Sequence, residues 1–320
     1  AVLIVMLLAL CGMAGRTGAE NTQGQNQVPV KTVVPTMAVT NLGGDFHEGL
    51  AWVHLKGKEG NINRLGQVAI PVQFEYVGDF HEGLAWARDK GRYGYIDRKG
   101  NWAITAQFDA AMNFSGGLAG VRLGGKWGFV DKKGKIVVNP QYDSIGSFYE
   151  SLAWVRQAGR EGYIDKTGQV KVNLQFDLAY DFHEGLAMVK IGGRYGYIDK
   201  KGAYVINPLY DAGGDFSQGL AWVREGGQGG YIDRKGAFSI AKKWQRAGAF
   251  SEDRAWIIDE ALSKVGFIDR KGNVVIPAKY LHTGNFKNGL CRVSLTGNYQ
   301  SGLKMVLGAS WGYIDKSGNQ

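Results

Sequence analysis

The sequence predicts an all-β protein, a tandem array of eight three-stranded antiparallel units of about 34 residues stacked as an open solenoid or superhelix. Three observations predict it. A phenylalanine recurs at a spacing of 34 residues six times and of 36 residues once. Short alternating apolar stretches follow it, and Asp-x-x-Gly turns separate them. The phenylalanines are Phe46, Phe80, Phe114, Phe148, Phe182, Phe216, Phe250 and Phe286.

One such unit is shorter than the ~40 residues at which a chain usually folds alone, so we expect stability to come from stacking. A closed β-propeller is the alternative architecture. It is less favoured because a four-stranded blade usually takes about 40 to 45 residues. No stretch has a sustained period of 3.6 residues, and we therefore expect little helix.

The N-terminal segment precedes the array. Residues 1–15 are almost wholly apolar, which predicts a signal peptide over residues 1–19 that lacks its basic start. Cleavage after Ala19 is favoured over lipidation at Cys11, because Leu10 stands where a lipoprotein signal needs a small residue. Residues 20–40 are polar and match no repeat, as in a linker. We expect an exported protein (periplasmic, secreted or cell-surface) with no transmembrane span in the mature chain.

The array covers residues 41–320, and its second unit shows the elements in order. Residues 84–88 alternate as a strand, residues 89–92 form a turn, and residues 93–97 form a second strand. Asp97 and Gly100 bound a type I turn, and a third strand begins at Trp102. The same turn recurs from Asp131, Asp165, Asp199, Asp233, Asp269 and Asp315. Because no third strand follows the last of these turns, we expect the array to be truncated at the C-terminus.

The first strand of each unit has two different faces. One face carries a small residue such as Ala85 and, two residues on, a medium one such as Ala87 or Val121, which predicts a closely packed core. The other face carries the tryptophans Trp52, Trp86, Trp154, Trp222 and Trp256. The second strand adds the tyrosines Tyr95, Tyr163, Tyr197 and Tyr231. These rings form either a second core layer or a partly exposed aromatic stripe that binds sugar rings or a protein partner.

The residues that repeat resemble a known family. The sequences Lys-Trp-Gly-Phe-Val-Asp at 126–131 and Trp-Gly-Tyr-Ile-Asp at 311–315 are similar to those of the bacterial WG-repeat proteins. The resemblance covers about residues 41–320. It departs from the pattern where Glu59, Glu161, Gly229 and Val265 replace the aromatic residue before glycine. It implies a β-repeat architecture, often in many copies, with no known catalytic residues.

No catalytic pattern is present, and we expect no enzyme activity and no cofactor. Cys11 and Cys291 are the two cysteines, so no disulfide framework is expected. His-Glu pairs begin at His47, His81 and His183, but each lacks a second histidine one helical turn later. We therefore predict no metal site.

Charge gives the remaining functional signal. The net charge is +9, and the second turns of successive units carry a basic ridge. Its lysines are Lys99, Lys133, Lys201, Lys235 and Lys271. We expect the glutamates after the opening phenylalanines to line a different edge. The ridge is either a solvated surface that keeps the array soluble or a track for an anionic envelope polymer.

The sequence therefore predicts a non-catalytic scaffold that binds a protein or a glycan over an extended surface. Nucleic acid is an unlikely partner because we expect export. A structural spacer is the first alternative, and a hydrolase with an unrecognised site is the remote one. In the last unit, about residues 295–310 are inserted, and we predict a protruding hairpin there.

Overall fold

The computed structural model describes residues 43–296, 298–300, 305–307 and 311–320, and for 298–300 and 305–307 it gives the backbone only. The predicted signal peptide and linker lie outside these residues. Within the described ranges every regular element is a strand, and no helix is long and apolar enough to cross a membrane. The prediction of an all-β repeat array is confirmed.

The strands are numbered in chain order. The first half contains β1 (Leu50–Leu55), β2 (Lys58–Asn63), β3 (Val68–Phe74), β4 (Tyr76–Val77), β5 (Ala85–Asp89), β6 (Arg92–Ile96), β7 (Trp102–Phe108), β8 (Ala110–Ser115), β9 (Leu118–Leu123), β10 (Lys126–Asp131), β11 (Ile136–Tyr142), β12 (Ser144–Ile145), β13 (Leu152–Gln157), β14 (Arg160–Asp165) and β15 (Val170–Phe176). The second half contains β16 (Leu178–His183), β17 (Leu186–Ile191), β18 (Arg194–Ile198), β19 (Tyr204–Tyr210), β20 (Ala212–Gly213), β21 (Leu220–Glu225), β22 (Gln228–Asp233), β23 (Phe238–Ile240), β24 (Ala255–Asp259), β25 (Lys264–Ile268), β26 (Val274–Tyr280), β27 (His282–Thr283), β28 (Leu290–Ser294), β29 (Asn298–Gln300), β30 (Met305–Leu307) and β31 (Trp311–Asp315).

Each unit is a small antiparallel meander, and units 1 to 8 are numbered here by their opening phenylalanines. Unit 2 has the strand order β4-β5-β6-β7, and units 3 to 6 repeat it. The three predicted strands are β5, β6 and β7, and the linking segment adds a short fourth strand, β4. Single bridges, Gly43 to Val53 and Ala247 to Ile257, take the place of this strand in units 1 and 7. This edge strand is two residues long in units 2, 4 and 6 and six residues long in units 3 and 5.

A β-bulge interrupts the second hairpin at the glycine of the Trp-Gly position in units 1 to 5 and 7. In unit 3, Trp127 pairs with Tyr142 and Phe129 pairs with Val138, so the register shifts around Gly128. A Cβ atom on Gly128 would lie 2.3 Å from the carbonyl oxygen of Val138. The position needs glycine because the backbone of the third strand approaches it so closely.

The core lies between neighbouring units, whose sheets pack face to face. Between units 4 and 5, Tyr163 and Phe176 on one sheet pack against Ala187, Val189 and Ile198 on the next. Ala187 and Val189 are fully buried, so the predicted core face of the first strand is confirmed. Among the described strands, pairing stays within a unit, and side-chain packing joins the units.

A pair of aromatic rings joins most neighbouring units. The ring of Tyr163 lies 4.8 Å from that of Phe182, the opening phenylalanine of the next unit. Equivalent pairs join units 2 to 8 in succession: Tyr95 with Phe114, Phe129 with Phe148, Tyr197 with Phe216, Tyr231 with Phe250, and Phe267 with Phe286.

At the two ends of the described array, the residues equivalent to these aromatic pairs are exposed. Phe46 in unit 1 is 40% exposed and Tyr313 in unit 8 is 46% exposed, whereas their counterparts Phe182 and Tyr163 are buried. The first and last units therefore do not pack on each other through the aromatic pair that links neighbouring units, which is consistent with the predicted open array.

The inserted segment of unit 8 falls partly among the described residues. Strands β29 and β30 pair with each other as a separate two-stranded sheet, with Tyr299 opposite Val306. The remaining residues of the insertion lie outside the described residues.

Candidate functional site

The aspartates of the second turns have a structural role. In unit 2, Oδ1 of Asp97 accepts hydrogen bonds from the backbone N–H groups of Lys99, at 2.8 Å, and Asn101, at 2.9 Å. The same pair of bonds recurs at Asp131, Asp165, Asp199, Asp233, Asp269 and Asp315. These carboxylates stabilise the turn, and the turn explains why they recur.

The glutamates after the opening phenylalanines connect successive units. Glu82 accepts a hydrogen bond from the backbone N–H of Gly117 in the next unit and lies 3.1 Å from Nζ of Lys132. Glu48, Glu150, Glu184 and Glu252 accept the equivalent bond. In units 2, 3, 5 and 8 the first cation of the second turn thus meets the glutamate of the preceding unit. Our expectation that the basic and acidic rows line different edges is therefore corrected.

The five lysines of the predicted ridge each follow another cation of the same turn by one residue. All five are exposed, and within the described part of the chain none forms an ion pair. The members are Lys99, Lys133, Lys201, Lys235 and Lys271. Roughly half of the turn cations are therefore neutralised locally, and these five remain open to an anionic partner.

The tyrosines of the predicted stripe lie in the core between units. Tyr95, Tyr163, Tyr197 and Tyr231 are all 0% exposed. The hydroxyl of Tyr163 donates a hydrogen bond to the carbonyl oxygen of Tyr180, at 2.7 Å, in the next unit. Burial raises the pKa of each of these phenols. A surface ligand cannot contact them, so the second-core-layer interpretation holds for these four positions.

The tryptophans of the stripe are half-buried and remain accessible. In unit 2 the indole of Trp86 covers the backbone of Gly78, where an added Cβ atom would lie 2.2 Å from Nε1. Trp52, Trp154 and Trp256 cover Gly44, Gly146 and Gly248 in the same way. Each indole therefore packs on its own unit with part of its surface and leaves the rest open.

Two of these tryptophans line a groove of about 320 Å³ across units 1 to 3. Trp52 and Trp86 form apolar walls, and Asp79 and Asn113 add polar groups. The side-chain oxygen of Asn113 is buried and accepts no hydrogen bond within the described residues. Glu59 is also present, but its carboxylate accepts the backbone N–H of Val77 at 2.7 Å. The groove therefore combines aromatic surface with an acceptor that lacks a partner.

Polar side chains flank the opening phenylalanines, just before the first long strand of each unit. Stacking brings His47 and His81, which occupy the same position in units 1 and 2, to a ring separation of 5.3 Å. Asp79 lies between them in sequence, with Oδ2 3.5 Å from Nε2 of His47. No second histidine follows either residue along its own segment, so the sequence pattern did not indicate this cluster. The 34-residue spacing of like residues is the signal that could have found it.

Asp181 occupies in unit 5 the position that Asp79 occupies in unit 2, and its pKa is strongly raised. Burial of the carboxyl raises this pKa to about 6, His183 opposes the rise, and Asp215 adds to it. The native state therefore holds the proton more tightly than the unfolded chain. The tighter proton binding stabilises the native state below pH ~4, and this stabilisation is lost as the pH rises through about 6.

We expect the Asp181→Asn variant to lose this pH dependence. Asn113 occupies the equivalent position in unit 3, so the amide is compatible with the fold. At pH 7 the variant should be more stable by about 1 kcal/mol, after allowance for solvent screening of a half-buried group. Urea unfolding at several pH values between 4 and 7 measures the difference from wild type. Parallel stability curves for the two proteins would contradict this account of Asp181.

Of three solved structures that match at low sequence identity, one shows a similar fold, and the other two match with TM-scores below 0.5. The structure "Crystal structure of the eukaryotic initiation factor" is 15% identical with a TM-score of 0.57, covering 84% of this chain and 81% of that one. PorZ, described as an essential bacterial surface component of the type-IX secretion system of Porphyromonas gingivalis, is 10% identical with a TM-score of 0.35; the match covers 86% of this chain and 44% of PorZ. The extracellular domain of the putative one component system BT4673 from B. thetaiotaomicron is 11% identical with a TM-score of 0.39, covering 86% and 46%.

No curated protein matches this chain. The family comparison is specific, because the WG containing repeat matches residues 60–93, 93–127, 127–160, 162–195, 195–228, 230–258 and 266–299. These matches extend over most of the described array, and the glycine of the motif is the one at which the bulge lies in units 1 to 5 and 7. The chain belongs to the family of WG-repeat proteins.

Proposed function

We propose that this chain is a non-catalytic binding scaffold that recognises a glycan in the groove of units 1 to 3. The observation that carries the proposal is the groove itself, in which Trp52 and Trp86 accompany the polar side chains of Asp79 and Asn113. A sugar ring offers C–H faces that pack on indoles. Its hydroxyls donate hydrogen bonds to carboxylate and amide oxygens.

The volume of the groove and the net charge of the chain both bear on the kind of glycan that binds. A volume of about 320 Å³ is at the lower end of ordinary ligand pockets, which span roughly 300 to 1,000 Å³, and suits one or two sugar rings. Half-buried tryptophans in units 4, 6 and 7 offer further aromatic surface for a longer polymer. The net charge of +9 favours a polymer that carries negative charge elsewhere along its length, whereas the groove, which Asp79 and Glu59 line, suits its uncharged rings.

The apolar segment at residues 1–15 supports export and directs the search to glycans of the cell envelope and of the extracellular space. A protein partner, a structural spacer and a hydrolase are the alternatives. They predict different outcomes in the experiment below.

We expect a glycan array probed with the purified protein to identify a glycan whose binding depends on the groove. Replacing Trp52 and Trp86 by alanine should weaken the affinity for this glycan by about 30-fold, the usual loss for a central aromatic contact. The matched control is Trp222→Ala, which removes a tryptophan at the same repeat position outside the groove. Calorimetric titration with the array hit measures all three proteins.

Four outcomes would contradict the proposal. Absence of any glycan ligand favours the spacer, and binding confined to envelope proteins favours the protein partner. Release of shortened sugar products favours the hydrolase. Equal weakening by Trp222→Ala would show that the loss does not come from the groove.

A further inference from the structure

His47, Asp79 and His81 form a compact cluster where units 1 and 2 meet. Their potential ligand atoms, one from each side chain, all lie within 4.8 Å of one another. The two imidazole rings are inclined by 32°. The His47 and Asp79 side chains are 39% and 32% exposed, so an ion from solvent can reach them.

The spacing of these atoms suits a tetrahedral metal ion. Two ligand atoms bound to Zn²⁺ at about 2.1 Å are about 3.4 Å apart in tetrahedral geometry. The observed distance between Nε2 of His47 and Oδ2 of Asp79 is 3.5 Å. Two imidazoles with one carboxylate suit Zn²⁺ and its first-row neighbours better than Ca²⁺ or Mg²⁺, which prefer all-oxygen ligands.

An ordinary ion pair between a histidine and an aspartate would explain part of this arrangement. The chain contains such a pair in units 5 and 6, where Nε2 of His183 lies 3.6 Å from Oδ2 of Asp215. Ser217 stands there in the position of His81, and its hydroxyl donates a hydrogen bond to the carbonyl oxygen of Phe250. The second histidine is therefore what distinguishes the cluster of units 1 and 2.

We propose that His47, Asp79 and His81 bind one divalent transition-metal ion of the Zn²⁺ class, with the fourth coordination position open to water or a ligand. Each unit alone supplies an incomplete set, and stacking of units 1 and 2 completes it. Asp79 also lines the groove, but the site is defined by the metal alone and does not depend on a glycan.

The test is calorimetric titration of ZnCl₂ into tag-free, chelator-treated protein. We expect one site per chain. His81→Ser, which copies the residue of unit 6, should weaken it by about 100-fold or more, since even outer-shell changes cost 10- to 100-fold. His282→Ala, which changes a histidine outside the cluster, should leave the affinity unchanged. Circular dichroism of metal-free His81→Ser should match wild type, because serine occupies the same position in units 3, 6 and 7.

A gain-of-site variant tests the geometry independently of any loss. Ser217→His places a second imidazole beside His183 and Asp215, and it should raise the stoichiometry from one to two Zn²⁺ ions per chain. A stoichiometry that stays at one would contradict the claim that this arrangement suffices. Absence of Zn²⁺ binding in the wild type, or unchanged affinity in His81→Ser, would overturn the proposal.

Discussion

Replacing Gly128 by alanine should destabilise the protein by about 3 kcal/mol, the upper end of the usual cost of overpacking a core. The added Cβ atom would lie 2.3 Å from the carbonyl oxygen of Val138 and 2.7 Å from the backbone nitrogen of Pro140. These are backbone atoms of the adjacent strand, so no side-chain rotation relieves the contact. Urea unfolding followed by tryptophan fluorescence measures the loss.

The matched control is Gly312→Ala in unit 8, which changes the glycine of the other Trp-Gly pair. Among the described residues an added Cβ atom there meets nothing within 4 Å, and we expect the stability to change by less than about 0.5 kcal/mol. Equal losses in the two variants would mean that glycine is needed for a reason other than the close approach of the third strand.

Truncating Tyr163 to alanine should destabilise the protein by about 4 kcal/mol, as for other fully buried aromatic residues. The ring fills the core between units 4 and 5, packs on Phe182, and donates a hydrogen bond to the carbonyl oxygen of Tyr180. The same unfolding experiment measures this loss. Because each unit depends on its neighbours, the damage should spread from the joint, and the unfolding transition should broaden.

Two companion variants separate the causes of that loss. Tyr163→Phe keeps the ring and removes only the hydrogen bond, so we expect a smaller cost of about 1 kcal/mol. Tyr313→Ala changes the exposed counterpart in unit 8 and should cost less than about 1 kcal/mol. A Tyr313→Ala loss as large as that of Tyr163→Ala would contradict the assignment of the tyrosines to joints between units.

The core face and the turns could be predicted because each follows from a local rule. Small apolar residues recur at the position of Ala187 in all but the last copy, and only a packed interface demands that. Asp97 and its equivalents occur with glycine three residues later, and that pairing identifies a turn without any tertiary information.

The tyrosines and the edge strand could not be assigned in the same way. Alternation places Tyr95 on a face of its strand but does not say whether another unit covers that face. A strand of two residues such as Tyr76–Val77 is too short to show alternation at all. In both cases the answer depends on how the next unit docks.

The candidate sites depend on the offset between stacked units, which the period alone does not give. Lys132 meets Glu82, 50 residues earlier, because the second turn of one unit lies beside the turn that follows the opening phenylalanine of the preceding unit. His47 meets His81 because like positions of units 1 and 2 stack on each other. The repeat period indicates that equivalent residues of neighbouring units lie side by side, as His47 and His81 do. It does not predict a contact between different repeat positions, such as that of Lys132 with Glu82.

The central claim is that the repeated residues build the array and that the groove of units 1 to 3 binds the ligand. Hydrogen–deuterium exchange with and without the glycan identified on the array tests it most directly. We predict that protection on binding concentrates in the segments that contain Trp52, Asp79, Trp86 and Asn113. Protection spread evenly over all eight units, or confined to the turns that carry the exposed lysines, would contradict the claim.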